Sequence, residues 1–331
     1  MTLSSECHAL SRVLRLVCAA AAVAFACAPS PRPVSTGDAE PMPSNQPPPS
    51  STAATSPAEP PVAVHYSRGV GWSGTVALEI QKSEPSSLFR DFNDDGRPEI
   101  GLWQGVLPVE RFDALVQSLR ASGYDRAPGA PAAYPPGTKV LAIGEREAIA
   151  QYPRLFTFLS PPAELGPTLA LIDELAGELR AHPRRVLRAS AAFASPERGV
   201  RRGERALIEL TLSNAGSEAF ELSNPLHGSG EWNGLRLTFA QPDRDDRSID
   251  LTAADVEGPS GARGAALTLA PGAAVHYALR ARLDLPSGEY TATLAYHSLL
   301  EGAGPSALGG TLVLPLGSVS LHRDGWWKIW R

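Results

Sequence analysis

The chain has 331 residues, among them 31 prolines, 30 glycines and three cysteines, and its formal net charge at pH 7 is −5. All three cysteines lie within the first 27 residues, so disulfide frameworks and cysteine-based zinc sites are excluded from residues 28–331. A negative net charge argues against a general nucleic-acid binder, which needs a positively charged surface. The length predicts about two domains.

The first residues have the pattern of an export signal. Arg12 and Arg15 form a short positively charged segment, and residues 16–26, which follow them, are all apolar. This run is too short to span a bilayer core, because a spanning helix needs about 20 residues. Residues 1–26 are therefore predicted to be a secretory signal peptide.

The end of this run, Ala24-Phe25-Ala26-Cys27, resembles the cleavage site of bacterial lipoproteins. In that family a small residue precedes a cysteine that is lipidated on its thiol and becomes the mature N-terminus. Ala24 and Phe25 depart from the family, which usually has Leu at the first position and a small residue at the second. The same four residues satisfy the plain Ala-x-Ala rule, which would leave Cys27 unmodified. The resemblance implies lipidation of Cys27, and a lone free thiol would be a liability in an oxidising compartment.

Residues 27–62 are predicted to be a disordered tether behind the anchor. Residues 28–62 hold 11 of the 31 prolines and nine serines or threonines, and they contain no aromatic residue. Such a stretch cannot bury enough apolar surface to offset the entropy that ordering would cost. Polyproline segments extend by about 3.1 Å per residue, so the tether could hold a folded part many tens of ångströms from a membrane.

Residues 63–183 are predicted to form an α+β domain, an antiparallel sheet with two helices. Strands are indicated by alternation of apolar and polar residues, and helices by apolar residues three and four positions apart. The expected elements, in chain order, are strands at 76–80, 87–90 and 100–103, a helix from 109 to 119, a hairpin of 139–143 and 147–151, and a helix from 167 to 181. Residues 181–185, where Pro183 would end the helix, are interpreted as a linker.

Residues 186–331 are predicted to form an all-β sandwich. The expected strands lie at 206–212, 218–222, 235–239, 248–251, 266–269, 275–282, 289–297 and 311–315, separated by turn residues. Leu285-Pro286-Ser287-Gly288-Glu289-Tyr290, at the start of an alternating strand, resembles bacterial immunoglobulin-like domains. The resemblance implies an immunoglobulin-like sandwich in which Tyr290 packs into the core near a strand corner. The predicted fold class is thus an α+β domain followed by an immunoglobulin-like sandwich.

An acidic segment at residues 91–99, Asp-Phe-Asn-Asp-Asp-Gly-Arg-Pro-Glu, is the most specific motif of the folded part. It resembles a single FG-GAP-type calcium loop, although that family repeats the loop in every blade of a propeller. The resemblance implies calcium as the ligand, held by the side-chain oxygens of Asp91, Asn93, Asp95 and Glu99 and by the backbone carbonyl of Arg97. The alternative is a solvated acidic turn built on Asp95-Gly96. Four acidic residues against one arginine would repel one another without a counter-ion, which favours the metal.

Other motifs argue against nucleotide binding and recognisable catalysis. Residues 69–74 match the glycine fingerprint of dinucleotide-binding proteins, but the residues that follow have the pattern of a strand, whereas the fingerprint needs a helix. The sequence lacks the serine elbow, the paired-histidine zinc motif and the phosphate-binding loop of known enzyme classes. Residues 227–230, His-Gly-Ser-Gly, are interpreted as an ordinary loop.

The last seven residues contain three tryptophans, Trp326, Trp327 and Trp330, next to Lys328 and Arg331. Tryptophans beside cations suit a membrane interface or a protein partner. The favoured alternative is a terminal segment folded back over the groove between the two domains.

These features together predict an exported lipoprotein of the bacterial cell envelope, periplasmic or surface-exposed and anchored to a membrane by lipid. Its function would be that of a non-catalytic binding or scaffolding module, with an envelope protein or a glycan as partner, and without nucleic acid or nucleotide. The runner-up is an envelope hydrolase whose site lies in the interdomain cleft. A histidine, His227 or His297, within hydrogen-bond reach of a carboxylate and a hydroxyl would favour that alternative.

Overall fold

The computed structural model describes residues 63–322, apart from residues 71–73, 94, 130, 132–134, 136, 145–153, 196–199, 202, 228–233, 243, 260–263, 301–303 and 305. The strands of the first half are β1 (Ala63–Val70), β2 (Gly74–Gln81), β3 (Pro85–Arg90), β4 (Glu99–Val106), β5 (Lys139–Ile143) and β6 (Phe156–Phe158). The helices are α1 (Val109–Ala121) and α2 (Gly166–Leu179). The remaining strands are β7 (Pro183–Phe193), β8 (Val200–Arg201), β9 (Arg205–Asn214), β10 (Phe220–Ser223), β11 (Gly234–Ala240), β12 (Arg247–Leu251), β13 (Val256–Glu257), β14 (Ala266–Leu269), β15 (Ala274–Arg282), β16 (Gly288–Ser298) and β17 (Gly310–His322).

The described strands form three sheets. The largest has ten strands in the order β13-β15-β9-β7-β4-β3-β2-β1-β5-β6, and every neighbouring pair in it is antiparallel. A second sheet has five strands in the order β12-β11-β16-β17-β8, of which only β17 and β8 pair in parallel. Strands β10 and β14 form a small antiparallel sheet of their own.

The two helices cover one face of the first-half strands. Helix α1 buries Phe112, Leu115 and Leu119, which recur at the helical period, and Gly123 follows the helix with a positive φ of 88°. The helix faces pack into one apolar cluster with strand residues such as Leu78, Leu88 and Trp103. Among the described residues, no helix has the length and apolar character that crossing a membrane requires.

The second core lies between the five-stranded sheet and the opposite end of the ten-stranded sheet. Alternate residues point inward from both layers, as the period of two requires. The buried members include Ile208, Leu210 and Leu279 from the large sheet and Leu294 and Leu314 from the smaller one. This half of the chain is therefore a β-sandwich.

The predicted fold class, an α+β domain followed by a separate immunoglobulin-like domain, is wrong. The described chain is mainly β, and one antiparallel sheet runs through both halves. Strand β7 pairs with β4, from Glu99 opposite Arg188 to Trp103 opposite Pro183, and on its other side with β9. Residues 183–185, expected in a linker, are therefore the first residues of a central strand. Of the hairpin predicted at 139–151, the second strand lies outside the described residues, and β5 pairs with β1 and β6 instead.

Candidate functional site

The acidic loop, residues 91–99, connects β3 to β4 and reaches across to the five-stranded sheet. The backbone N–H of Asp91 donates to the carbonyl oxygen of Thr75 (3.1 Å), and the carbonyl oxygen of Asp91 accepts from Thr311 N–H (2.7 Å). Phe92 forms an isolated parallel bridge with Thr311. The start of the loop thus ties the edge of β17 to the ten-stranded sheet.

Asn93 completes this connection with its side chain. Its Oδ1 accepts from the backbone N–H of Val313 at 2.7 Å, and its Nδ2 donates to the carbonyl oxygen of Val313 at 2.8 Å. The residue is only 6 % exposed. One amide side chain therefore satisfies both backbone groups of an edge residue of β17, as a neighbouring strand would.

We expect Asn93→Ala to lower the free energy of unfolding by about 2–4 kcal/mol, because it leaves a donor and an acceptor of β17 without their partners. Chemical denaturation with a fluorescence readout measures this difference. Gln117→Ala, which removes an exposed amide from α1, serves as the control and should change stability by less than about 0.5 kcal/mol. Equal losses in the two variants would contradict the connecting role of Asn93.

The middle of the loop is surrounded by arginines. Asp95 Oδ2 lies 2.5 Å from Arg90 Nη1, 3.2 Å from Arg180 Nη2 and 3.8 Å from Arg97 Nε. The guanidinium of Arg90 is nearly inaccessible to solvent, since its side chain is 2 % exposed. Hydrogen bonds and the nearby positive charges hold the pKa of Asp95 below its ordinary value, although burial alone would raise it.

Glu99, the last acidic residue of the loop, has its own cationic partner. Its Oε2 accepts from Arg188 Nη2 at 3.2 Å, and the two residues are directly opposite each other on β4 and β7. We call Arg90, Arg97, Arg180 and Arg188 the arginine cluster. The sequence does not reveal this cluster, because three of its four arginines lie outside the loop.

The side-chain oxygens predicted to hold calcium do not converge in this conformation. Asn93 is bound to β17, Asp95 to arginines and Glu99 to Arg188, while Asp91 Oδ1 accepts from Thr75 N–H. Among the described residues, which omit Asp94, no group of three histidine, cysteine or acidic side chains is placed to hold a metal. The arginine cluster supplies the countercharge for which a cation was invoked, so these residues do not fit a calcium cage as arranged here, and calcium binding stays a prediction.

Asp91, the first residue of the loop, is a buried carboxyl group whose pKa is raised. Burial raises its pKa from 3.8 to about 6, and hydrogen bonds from backbone N–H groups oppose the rise. Above pH 6 the folded protein holds a buried carboxylate that the unfolded chain would hold in water. As the pH falls, the folded state takes up a proton before the unfolded state does, so this group adds stability on acidification.

We therefore expect the free energy of unfolding of the wild-type protein to rise relative to Asp91→Asn by about 2 kcal/mol between about pH 7.5 and about pH 4.5. The variant keeps a side-chain oxygen for Thr75 N–H but cannot titrate. Denaturant titrations of both proteins at several pH values measure the difference. A difference independent of pH, or one that shrinks on acidification, would contradict the raised pKa of Asp91.

Tyr290 is placed as the resemblance to immunoglobulin-like domains predicts. It is 3 % exposed, and its hydroxyl donates to the carbonyl oxygen of Pro286 at 2.9 Å. Its ring meets that of Phe239 edge to face, with centroids 6.1 Å apart. The tyrosine thus fixes the turn before β16 to the core of the sandwich.

A polar cleft of about 550 Å³ lies beside this turn, at one end of the sandwich. Its walls come from the β11–β12 connection and from the β15–β16 connection with the start of β16. Its lining residues are Gln241, Arg244, Asp245, Arg247, Pro286 and Tyr290. Gln241 is held by a hydrogen bond from its Nε2 to the carbonyl oxygen of Glu289 (3.0 Å), and Arg244 Nη1 donates to Gln241 Oε1 (3.3 Å). No sequence motif indicated this cleft.

The histidine contact that would favour a hydrolase is only partly present. His297 Nδ1 lies 2.9 Å from Thr311 Oγ1. Burial, followed by the charge of Arg236, lowers the pKa of His297, while Asp250 opposes the shift. The carboxylate of Asp250 accepts two hydrogen bonds from Arg236, at 2.6 and 3.2 Å, so it is committed to another partner.

The same histidine–threonine contact occurs on the other sheet. His276 Nδ1 lies 2.9 Å from Thr211 Oγ1. In both contacts the histidine and the threonine are directly opposite each other on paired strands. Such pairs are an ordinary cross-strand interaction, so the contact of His297 does not single out a catalytic site. His227 ends a short 3₁₀ turn, and residues 228–230 lie outside the described residues.

Several other predicted features also lie outside the described residues. They are the signal peptide, Cys27 and the tether at the N-terminus, and Trp326, Trp327 and Trp330 at the C-terminus.

Comparison with known proteins gives no family for this chain: no family model and no curated protein matches it. Similar solved structures include a putative ApaA protein from Bordetella pertussis (TM-score 0.24, 15 % identity, 42 % of this chain and 96 % of that one) and a Salmonella SafD adhesin (TM-score 0.23, 16 % identity, 40 % and 96 %). A class 5 fimbriae chaperone, CfaA, has a TM-score of 0.21 and 10 % identity, over 40 % of this chain and 57 % of that one. Scores this low do not establish a shared fold or a shared function.

Proposed function

We propose that this protein is an exported lipoprotein that acts as a non-catalytic binding or scaffolding module of the bacterial cell envelope. Its N-terminal sequence supports the anchoring part. An apolar run, residues 16–26, precedes Cys27, and a proline-rich segment of about 35 residues follows before the first strand at Ala63. A lipidated cysteine with several acyl chains would hold the folded part at a membrane.

The polar cleft at the end of the sandwich is the observation that carries the binding part of the proposal. Connections at the ends of β-sandwiches commonly form recognition surfaces, since the sheets hold them rigidly while their sequences vary. Arg244, Arg247 and Gln241 line this cleft with hydrogen-bond donors, and its volume of about 550 Å³ suits a segment of a protein or a glycan. The donors favour a partner with carboxylate or hydroxyl groups at the contact.

Labelling with radioactive palmitate in a bacterial host tests the anchoring part. We expect the full chain to incorporate label, Cys27→Ser to incorporate none, and Cys18→Ser to incorporate as much as the wild type. Cys18 is the matched control, because it lies in the apolar run that cleavage would remove. No incorporation into the wild type, or equal incorporation into Cys27→Ser, would overturn lipid anchoring.

Affinity capture from envelope extract tests the binding part. The full chain and a variant with Arg244→Ala and Arg247→Ala would be compared, with and without calcium, and a specific partner should be lost from the cleft variant. Arg120→Ala, which changes an exposed arginine at the end of α1, is the control and should retain the partner. Equal capture by the cleft variant and the wild type would remove the cleft as the recognition surface.

A further inference from the structure

The arginine cluster has a geometry that neither the calcium loop nor the proposed function explains. Arg90 comes from β3, Arg97 from the acidic loop and Arg180 from the residue after α2, and all three approach the same oxygen, Oδ2 of Asp95, within 4 Å. Three guanidinium groups on a single carboxylate oxygen are more than that oxygen needs to be satisfied. The arrangement concentrates donors around one point of the surface.

Within the described residues, the positive charge of the cluster exceeds the negative charge that contacts it. Among the described side chains, four arginines face two carboxylates, those of Asp95 and Glu99. Burial is the main cause that lowers the pKa of Arg180, and the charges of Arg97 and Arg90 lower it further. Positive groups held this closely repel one another, so an added anion would be attracted to the cluster.

The guanidinium of Arg180 is only partly satisfied within the described residues. The Nε–H of Arg180 is buried and makes no hydrogen bond within that part of the chain, although Nη2 of the same group bonds to Asp95. A buried donor without a partner is uncommon and requires an explanation, such as a bound ion. The Arg180 side chain as a whole is 23 % exposed.

The remaining members differ in how much they can move. Arg90 is buried and forms a fixed base, while the side chains of Arg97 and Arg188 are 54 % and 59 % exposed. Exposed arginines beside a fixed one can turn towards a ligand without disturbing the core. The planar guanidinium matches two oxygens of a phosphate at once, which makes arginine the common residue for such groups.

We propose that the arginine cluster binds a phosphate group, with Arg180 and the exposed Arg97 as its principal donors and Asp95 holding the guanidinium groups in place. The phosphate can be free or part of a lipid headgroup, since both present the same oxygens. The site is separate from the cleft at the end of the sandwich, so it stands whether or not the cleft binds an envelope partner.

Calorimetric titration of the full-length chain with inorganic phosphate, at constant ionic strength, tests the site. We expect saturable binding, weakened at least about tenfold in Arg180→Gln, which loses a charge-assisted donor pair. Arg97→Gln should weaken binding in the same direction, and its exposed position keeps the test valid if Arg180→Gln fails to fold. Arg111→Gln is the matched control, because Arg111 pairs with Glu174 and Glu178 on the helices and should leave binding unchanged.

Absence of saturable phosphate binding by the wild type would overturn the proposal, as would equal binding by Arg97→Gln and the wild type. Flotation with phosphatidylglycerol and phosphatidylcholine vesicles distinguishes the sources. Binding to the anionic vesicles that Arg97→Gln weakens indicates a lipid phosphate, and phosphate binding without vesicle binding indicates a free one. Saturable calcium binding with no phosphate binding would instead restore the cation loop and exclude this site.

Discussion

Gly101→Ala is expected to lower the free energy of unfolding by about 3–5 kcal/mol, because Gly101 lies where β4 pairs with β7 and joins the two halves of the sheet. A Cβ atom at Gly101 would lie 2.8 Å from Val186 Cα and still closer to the carbonyl oxygen of Arg185. Gly101 also has a φ of +147°, which a residue with a side chain rarely adopts. Both obstacles involve backbone, so neither a rotamer change nor a small side-chain shift removes them.

Thermal and denaturant unfolding of Gly101→Ala would be compared with Gly177→Ala. Gly177 lies on the exposed face of α2 with open space around it, so alanine there should stabilise the protein by up to about 1 kcal/mol through its better helix propensity. Replacing glycine by alanine is thus expected to lower the free energy of unfolding at Gly101 and to raise it at Gly177. A loss below about 1 kcal/mol for Gly101→Ala would show that β4 and β7 do not pair closely, and the continuous sheet would be wrong.

The two helices and many of the strands were predictable from sequence because each of these carries its own period. Helix α1 repeats Phe112, Leu115 and Leu119 at three and four residues, and β9 alternates buried residues with exposed or half-buried ones along its whole length. Both patterns depend only on near neighbours in the chain. The bounds of the two helices accordingly lie close to those expected.

The arrangement of the sheet was not predictable in the same way. Strand β7 begins with Pro183-Arg184-Arg185, which has no alternation and follows a helix, so the local pattern favours a linker. The residues form a strand because β4 and β9 are available on both sides to pair with them. Tertiary context overrode a weak local preference, and the two predicted domains share one sheet as a result.

In the candidate site, too, the local sequence pattern was recognisable but the long-range contacts were not. The acidic residues of the loop are adjacent in sequence and easy to recognise, whereas their partners come from far along the chain. Asp95 and Arg180 are 85 residues apart, Glu99 and Arg188 are 89 apart, and Asn93 and Val313 are 220 apart. A local count of charge therefore described the loop as acidic, although the folded neighbourhood is rich in arginine.

Asp95→Asn is the second substitution with a large expected effect, a loss of about 2–4 kcal/mol of unfolding free energy. It removes the carboxylate on which the buried Arg90 and the half-buried Arg180 converge, while the positive charges stay in place. Removing one partner of a buried ion pair costs about 3–5 kcal/mol, and the 29 % exposure of Asp95 reduces the expected value. The pKa of Asp95 lies below its ordinary value, so its contribution is present at neutral pH and is lost as the pH falls through that lowered pKa.

Asp113→Asn provides the matched control, since Asp113 pairs with Lys82 at 3.0 Å with both side chains about half exposed. An exposed pair of this kind contributes at most about 1 kcal/mol, so the control should unfold close to the wild type. Added salt should distinguish the two variants further. Screening should reduce the small stability loss of Asp113→Asn but leave most of the stability loss of Asp95→Asn, because ions penetrate poorly to a buried guanidinium. If the two variants lost equal stability at neutral pH, Asp95 would be a surface residue like Asp113, and the arginines would not depend on it for their position.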